Sequence, residues 1–247
     1  MAPTRATAGQ QPSQLSESER EGQKRAAARA AAEMLEDGMR VGLGTGTTVA
    51  HLLPAIAERR LGSIRCAATS PETERAARAL GLRVEDLDQL GALDIAIDGA
   101  DQIDPEGWLV KGGGGALTRE KIVAAAAATF VVIASAEKAV TELAPPVPLE
   151  LVRFGVRCTL ELLGDATLRD RAESPDRGLI ADYDGAVGDP QALSQRLSAT
   201  PGVVEHGIFP PEMVSVILIA GDRGVQRRDG RRTPAAARER GGPKRTY

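Results

Sequence analysis

Short apolar runs alternate with segments rich in helix formers along most of the chain. Runs such as MRVGLG, LDIAIDGA and TFVVIAS are brief and end at glycine or polar residues, as buried strands do. Between them lie segments such as EREGQKRAAARAAAEMLEDG, predicted as a helix over 20–37, and ALTREKIVAAAAA. The alternation predicts an α/β fold with a doubly wound, mostly parallel sheet.

The pattern changes after the proline-rich segment PPVPLEL at 145–151. Helix-like segments RFGVRCTLELLG and PQALSQRLSAT are then interspersed with possible strands at GLIADY, VVEHGIF and VSVILIA. We interpret 19–144 as the main catalytic domain, completed by part of 203–224. Residues 145–202 are predicted to form a smaller α+β lid packed onto it.

Both ends of the chain lack apolar periodicity. Residues 1–18 are rich in Ala, Thr, Gln, Pro and Ser, which is typical of a disordered extension. Residues 225–247 carry many arginines with Gly and Pro, and we predict a disordered tail there. A nucleic-acid-binding arm is the alternative interpretation of this basic composition.

Composition and charge limit the classes of partner. The 247 residues are 42% hydrophobic and 26% charged, with a formal net charge of −3. This balance provides no strong field for nucleic acid or a membrane surface, and favours a small-molecule partner. No run resembles a signal peptide or a transmembrane helix, so a cytoplasmic location is expected. The two cysteines, Cys66 and Cys158, each stand alone without a CxxC motif or a nearby histidine, which predicts buried free thiols rather than a zinc site or a disulfide framework.

The segment GLGTGTT at 42–48 lies between a predicted strand and a predicted helix. Backbone N–H groups and the helix dipole create an anion site at such a position, and the hydroxyls of Thr45, Thr47 and Thr48 are suited to phosphate oxygens. A tight turn with hydroxyls capping the helix is the alternative. A dinucleotide fingerprint is incomplete because Thr47 occupies the third glycine position, and a Walker loop lacks its GK[ST].

Two carboxylates follow the predicted strand DIAI, at Asp98 and Asp101. Side chains at the carboxyl end of a parallel strand face the ligand crevice, and Gly99 permits a turn that brings both to one side. They can accept hydrogen bonds from sugar hydroxyls. Metal binding and turn capping are the alternatives, but a hard cation requires more oxygen ligands, and we predict no metal.

Four consecutive glycines follow Lys111 and precede a helix that carries Glu120. Such a run costs chain entropy, and is understandable where backbone wraps a ligand. Glu120 is a candidate general base, although a carboxylate in the first turn could merely offset the helix dipole. Lys138, shortly after the strand TFVVIAS, could reach an anion in the same crevice or could simply be solvated.

In this order, the segments GLGTGTT, DGADQID, KGGGGALTREKI and SAEK resemble type A ribose-5-phosphate isomerases. The resemblance is close from about Lys24 to Leu151 and weaker through Gly221. It implies a Rossmann-like domain with a small lid, a homodimer or higher homo-oligomer, and no cofactor or metal. It further implies interconversion of D-ribose 5-phosphate and D-ribulose 5-phosphate, in the non-oxidative pentose phosphate pathway, through an enediol.

The resemblance assigns roles to individual residues. Glu120 would be the base that moves a proton between C2 and C1. Asp98 and Asp101 would orient hydroxyls and move the O1/O2 proton, and Lys111 would stabilise the enediolate. Lys24 also suits the substrate's anionic and hydroxyl groups. The expected substrate contacts are Thr45, Gly46, Thr47, Thr48, Asp98, Gly99, Ala100, Asp101, Lys111, Gly112, Gly113, Gly114 and Lys138.

The chain departs from the family pattern in three places. Gln102 replaces a glutamate in the aspartate loop, which keeps the shape but removes a charge. The segment ADYDGAVGDPQAL is short, so one hairpin strand of the lid is expected to be reduced or absent. An arginine-rich segment replaces the usual last apolar strand.

Two rival functions fit parts of the pattern. Another sugar-phosphate isomerase or deaminase would share the Gly/Thr loop but not KGGGGALTREK, and a histidine in these loops would favour it. A sugar-phosphate sensor would tolerate loss of the four catalytic candidates, all of which are present. It would also usually carry a DNA-binding helix-turn-helix, for which the segment before the first predicted helix is too short and too polar.

Overall fold

The computed structural model of the chain describes residues 15–232. Its helices are α1 (Glu17–Ala32), α2 (Thr47–Glu58), α3 (Pro71–Ala79), α4 (Leu87–Leu90), α5 (Leu117–Ala126), α6 (Val156–Leu163) and α7 (Pro190–Ala199). Strands β1 to β7 are Arg40–Leu43, Arg65–Ala68, Leu93–Gly99, Gln102–Ile103, Leu109–Val110, Ala127–Ser135 and Val147–Leu151. Strands β8 to β13 are Ala166–Glu173, Leu179–Tyr183, Val203–His206, Ile208–Phe209, Val216–Gly221 and Gly224–Asp229.

The central sheet has six strands in the order β13-β12-β6-β3-β1-β2. Every neighbouring pair is parallel except β12 and β13, which are antiparallel. Helices connect the parallel strands because a parallel crossover cannot be made by a tight turn. The predicted α/β fold with a mostly parallel sheet is confirmed.

Hydrophobic residues cover both faces of this sheet. Along β6, Val131 and Ile133 pack in the core that includes α1 and α2, whereas Phe130 and Val132 pack in the core that includes α5. The alternation follows from the period of two along a strand. Burial on both faces explains why the strands are continuous apolar runs in the sequence.

A second, four-stranded sheet in the order β10-β7-β9-β8 is antiparallel, and we call it the lid sheet. Its core includes Leu149, Ala181 and Leu197 of α7. A small third sheet has the order β11-β5-β4. Along the chain, β4 and β5 lie between β3 and β6 of the central sheet, and β11 lies between β10 of the lid sheet and β12 of the central sheet. Because β10 pairs with β7, the lid sheet extends to His206 rather than ending at residue 202.

Several boundaries differ from the sequence predictions. Residues 15–18 of the predicted N-terminal extension are part of the fold, since Ser16 caps α1 in a capping box with Glu19. Helix α1 ends at Ala32, short of the predicted 37. Cys66 is buried as predicted, but Cys158 is exposed on α6, which corrects the prediction for that thiol. Residues 1–14 of the extension lie outside the described residues.

The largest corrections concern two strands. Residues 225–229 were assigned to a disordered tail, but they form most of β13 and pair with β12. Every residue of this edge strand is exposed, so the strand needs no apolar face and left no apolar pattern in the sequence. Strand β8 was not predicted, since ATLRDRAE is largely exposed and lacks apolar alternation. Residues 184–189, between β9 and α7, form neither helix nor strand. Residues 233–247 of the predicted tail lie outside the described part of the chain.

No helix within residues 15–232 is both long enough and apolar enough to cross a membrane.

The central sheet should dominate stability. Ile133 is fully buried in β6, whereas Ile122 on α5 is 52% exposed, which provides a matched pair. We expect Ile133→Ala to lower the free energy of unfolding by about 2–5 kcal/mol and Ile122→Ala by less than about 1 kcal/mol. Urea denaturation followed by circular dichroism measures both. Equal losses would contradict the described core.

Candidate active site

Residues 44–48, which we call the threonine loop, lead from β1 into the first residues of α2 at the carboxyl edge of the central sheet. Gly44 lies against the Asp98 carboxylate, so closely that a Cβ at this position would overlap it. Gly46 has φ +107°, a backbone conformation that favours glycine. These two requirements explain the glycines of the segment, and they place the N-terminus of α2 beside the end of β3.

The three threonines of this loop are not equivalent. The Thr45 hydroxyl lies 2.7 Å from the hydroxyl of Thr69, and Thr73 donates a hydrogen bond to the Gly44 carbonyl at 2.9 Å. All three line the cavity beside the loop, but Thr45 also supports the loop, while Thr47 and Thr48 begin α2. Sequence analysis missed Thr69 and Thr73. Their signal was a set of hydroxyl residues after the next strand, β2, with Thr69 directly following it and Thr73 in the first turn of α3.

Asp98 lies at the carboxyl end of β3 and is 2% exposed. Its Oδ1 accepts hydrogen bonds from the backbone N–H groups of Gly99 at 2.7 Å and Thr45 at 3.1 Å. Its Oδ2 lies 2.8 Å from Lys111 Nζ. The carboxylate is thus fixed by backbone donors on one side and by an ammonium group on the other.

Lys111 follows β5 and reaches across to the end of β3. Its Nζ, with the side chain almost completely buried, lies 2.5 Å from the Gly99 carbonyl and 3.1 Å from Glu120 Oε2, besides its contact with Asp98. One ammonium has three donors, and three oxygens surround this one. We call Asp98, Lys111 and Glu120 the buried triad.

The triad retains unused hydrogen-bonding capacity. Among the described residues, Asp98 Oδ2 and Glu120 Oε2 are the buried side-chain oxygens that accept no well-directed hydrogen bond, although both lie within ion-pair distance of Lys111. Buried carboxylate oxygens normally have hydrogen-bond partners. Glu120, which lines the cavity, is therefore an acceptor available to a migrating proton, whereas Asp98 Oδ2 lies behind the lining against Lys111.

Burial and charge tune the protonation of the triad. Burial raises the pKa of Glu120 to about 7, reinforced by the negative charge of Asp98 and opposed by Lys111. Burial also raises the pKa of Asp98. For Lys111, burial favours the neutral amine, but the two carboxylates together outweigh it and raise its pKa. The ammonium stays charged while Glu120 can take up and release a proton near neutral pH.

The glycine run forms a turn on the far side of the cavity. Gly112 and Gly115 have φ +93° and +79°, and the Gly115 N–H donates to the Gly112 carbonyl. Gly113 N–H donates to Asp101 Oδ2 at 2.9 Å. The glycine run therefore holds Asp101 in place and also lines the cavity.

These loops enclose one cavity of about 90 Å³. Its lining residues are Thr45, Gly46, Thr47, Thr48, Gly99, Ala100, Asp101, Lys111, Gly112, Gly113, Gly114, Glu120 and Lys138. Asp98 lies behind the lining, against Lys111. The structure thus brings every residue predicted as catalytic or substrate-binding to one place, except that Lys24 is not part of the lining and instead pairs with Glu21 at 2.7 Å.

A larger, open cleft of about 650 Å³ lies elsewhere, between the β4–β5 hairpin and the N-terminal end of α7. It contains carboxylates such as Asp104, Glu142 and Asp189, but no member of the buried triad. Convergent buried charges, not volume, identify a site for acid–base chemistry. No group of three or more His, Cys, Asp or Glu residues within 15–232 is arranged to hold a metal ion.

The lid sheet holds the helix that carries Glu120. Three α5 residues that flank Glu120 in the sequence donate hydrogen bonds to oxygens of the lid portion. These oxygens belong to lid-sheet strands or to the turn between β8 and β9. The pairs are Thr118 with Glu150 at 2.5 Å, Arg119 with Asp176 at 2.6 and 2.7 Å, and Lys121 with Glu205 and the His206 carbonyl, both at 2.7 Å. Glu120 is therefore positioned by two sheets at once.

The two histidines lie outside the cavity lining, as predicted. His51 is 2.6 Å from Glu21, next to the Lys24 pair. His206 is buried near the hydroxyls of Ser194 and Ser198, and burial lowers its pKa to about 4. Both have structural partners.

Known proteins share this arrangement of sequence and fold. The family model described as ribose 5-phosphate isomerase A (phosphoriboisomerase A) matches residues 65–224. Ribose-5-phosphate isomerase A of Caulobacter vibrioides is 41% identical over 220 residues, covering 83% of this chain and 96% of the relative. The ribose 5-phosphate isomerase A structure from Methanocaldococcus jannaschii superposes with a TM-score of 0.80 at 31% identity, covering 85% and 99% of the two chains.

A further solved structure carries a ligand. It is a D-ribose-5-phosphate isomerase in complex with phospho-erythronic acid, and it is 32% identical with a TM-score of 0.80. The match covers 85% of this chain and 98% of that one. The likeness therefore extends over nearly the whole of the solved protein.

The buried ammonium should be essential for stability. Lys111→Met leaves two buried carboxylates without a counter-charge, and we expect a loss of about 3–5 kcal/mol at pH 8. Without Lys111 the pKa values of both carboxylates rise further, so protonation at pH 5.5 should remove part of the deficit. Chemical denaturation at the two pH values measures this.

Lys24→Met is the matched control, since Lys24 pairs with a partly exposed glutamate. We expect it to cost less than about 1 kcal/mol at either pH. An equal cost for the two variants would mean that the triad is not a closed electrostatic unit.

Proposed function

Because the chain belongs to the ribose 5-phosphate isomerase A family of aldose–ketose isomerases, we propose that it interconverts D-ribose 5-phosphate and D-ribulose 5-phosphate through an enediol. The observation that carries this proposal is the buried triad, in which a carboxyl with a pKa near 7 lies beside a permanently charged ammonium. A carboxylate of this kind can accept and return a proton at neutral pH.

Glu120 is the proposed base. It takes the proton from C2 of the open-chain aldose and returns it to C1, while the proton on O2 passes to O1, so that the C1 aldehyde becomes a hydroxyl and C2 becomes the ketone. The pKa of about 7 suits both directions, because the carboxyl is ionised often enough to attack and protonated readily enough to donate. Substrate in the small cavity would exclude water from this step.

Lys111 and the two aspartates have complementary proposed roles. As the oxygen at C1 or C2 gains negative charge in the enediolate, the Lys111 ammonium stabilises it. Asp98 Oδ2 and Asp101 provide acceptors for the substrate hydroxyls and for the proton that moves between O2 and O1. Asp101 lines the cavity, and Asp98 lies directly behind the lining with its Oδ2 2.8 Å from Lys111 Nζ.

The phosphate is proposed to bind at the threonine loop. Thr47 and Thr48 form the first turn of α2, where N–H groups and the helix dipole favour an anion, and Lys138 lines the same cavity. A phosphorylated sugar acid is the ligand in one related isomerase, which is compatible with this orientation. Phosphate held away from the reacting carbons contributes binding energy that positions them.

Other features remain proposals by likeness to the family. We infer a small-molecule sugar phosphate as partner, no bound cofactor or metal, assembly as a homodimer or higher homo-oligomer, and action in the non-oxidative pentose phosphate pathway of the cytoplasm. Gln102 side-chain atoms bond to the backbone of Ala144 in both directions at 2.8 Å, so this departure from the family pattern has a structural role.

Conversion of D-ribose 5-phosphate in the presence of EDTA tests the proposal. We expect the intact chain to turn over, and Glu120→Gln to lose about 100-fold or more in kcat, because the amide cannot accept the C2 proton. Glu161→Gln, an exposed glutamate on α6, serves as control and should be unchanged. Absence of turnover in the intact chain, or full activity of Glu120→Gln, would refute the proposal.

The pH dependence of kcat/KM tests the raised pKa of Glu120. A base must be ionised, and a pKa of about 7 means that the ionised form is lost as pH falls below 7. We expect kcat/KM to be constant above about pH 8 and to decrease about tenfold per unit below about pH 6.

The substrate phosphate also titrates near pH 6, so a second variant separates the two groups. Glu120→Asp should shift the midpoint of the decrease, whereas a decrease caused by the substrate would stay in place. A midpoint near the ordinary glutamate value of 4.5 would show that burial does not tune the base.

A further inference from the structure

Arg169 of the lid sheet reaches the glycine run of the active site. We propose that Arg169 is a positioning residue for the isomerase reaction: it fixes the Gly113 peptide and, through it, Asp101. The inference rests on the proposed function for its kinetic consequence, but the contact itself is visible in the structure. Nothing in the family resemblance or in the sequence pattern singled out this arginine.

The guanidinium is held from one side by the lid sheet. Its Nε and Nη2 donate to the two carboxylate oxygens of Asp182 on β9, both at 2.7 Å. This is the planar, bidentate arrangement in which arginine loses least entropy for each hydrogen bond. Asp182 thus orients the remaining nitrogen, Nη1, which donates to the Gly113 carbonyl at 2.7 Å.

The irregular part of β8 brings Arg169 to this position. Leu168 pairs with Ala181 and Glu173 with Leu179, so β8 advances five residues while β9 advances two. Arg171 within the extra residues has φ +50°, an uncommon value for a non-glycine residue. Irregularities of this kind redirect side chains, and here the displaced segment begins at the arginine that contacts the active-site loop.

Gly113 is bonded at both ends of its residue. Its N–H donates to Asp101 Oδ2 at 2.9 Å, and its carbonyl accepts from Arg169. A run of four glycines has no side chains to restrict its peptide planes. Hydrogen bonds must supply that restriction, and Arg169 provides the one that comes from outside the main sheet.

The charge of Arg169 acts in the same direction. Its pKa is raised chiefly by the hydrogen bond to Asp182, with further contributions from the charges of Asp182 and Asp101. The guanidinium therefore lies near enough to Asp101 for their opposite charges to attract each other. Asp101 is held by geometry through Gly113 and by charge through Arg169.

Arg153 offers a matched control on the same sheet. It too has a carboxylate partner, Glu173 at 2.5 Å, and a carbonyl partner, that of Arg177 at 2.8 Å, but both partners belong to the lid. Arg153→Gln therefore removes an equivalent lid arginine without touching the glycine run.

The test compares steady-state kinetics and amide exchange in Arg169→Gln, Arg169→Lys and Arg153→Gln. We expect Arg169→Gln to lower kcat about tenfold with KM changed less than about threefold. A misplaced Asp101 should weaken contacts with the transition state more than it weakens substrate binding. Arg169→Lys should not restore kcat, since one ammonium cannot reproduce the bidentate pair and the third bond. Arg153→Gln should match the intact chain.

Hydrogen–deuterium exchange of the peptide spanning 111–116 gives a readout that does not depend on activity. Exchange should accelerate in both Arg169 variants and not in Arg153→Gln. Asp182→Asn, which keeps the shape of the partner, should show a smaller change in the same direction and replaces Arg169→Gln if that variant does not fold.

The outcomes separate the two proposals. Unchanged kcat and unchanged exchange in the Arg169 variants, with an active intact chain, would overturn the inference alone. An intact chain without ribose 5-phosphate turnover would refute the proposed function, and faster exchange in the Arg169 variants would then still establish the contact. Equal effects of Arg153→Gln and Arg169→Gln would reduce Arg169 to a general stabiliser of the lid and overturn its positioning role.

Discussion

One buried ammonium determines how the rest of the site can be built. Removing a charge from water is costly, and Lys111 is tolerated in the interior because three oxygens meet it there. Those oxygens come from Asp98 and Gly99 at the end of β3 and from Glu120 on α5. The central sheet, the glycine run and α5 therefore have to meet within hydrogen-bond distance of a single atom. Because this meeting buries Glu120 beside Asp98, it also raises the pKa of the carboxyl proposed to act as base, although the ammonium itself opposes the rise.

The glycines of the site follow from this crowding as much as from ligand contact. Gly44 has no room for a Cβ because the Asp98 carboxylate occupies that space, and Gly207 lies directly against the Lys111 carbonyl. A side chain at either position would displace a member of the buried triad rather than a ligand. The loops are thus shaped first around charged side chains of the protein, and the cavity is what remains between them.

Sequence analysis predicted the main sheet and the site because both leave local signals. Apolar runs mark the strands, and Gly99 after Asp98 and the four glycines after Lys111 mark where those strands end. Strand β8 of the lid sheet and strand β13 at the edge of the central sheet were harder to predict, since both are largely exposed and charged and owe their place to pairing with neighbours. The support of Arg169 for Gly113 left no signal at all, because it depends on how residues far apart in the chain meet across an irregular strand.

The attachment of α5 to the lid sheet limits how the two parts of the chain can change in evolution. Thr118, Arg119 and Lys121, which surround Glu120, each depend on an oxygen supplied by the lid portion of the chain. The lid is therefore not an interchangeable module, although it forms a sheet of its own. Exchange of this portion between relatives would separate helix and lid residues that have to be inherited together. A substitution at one of these α5 residues is therefore tolerated only when its partner in the lid changes to match.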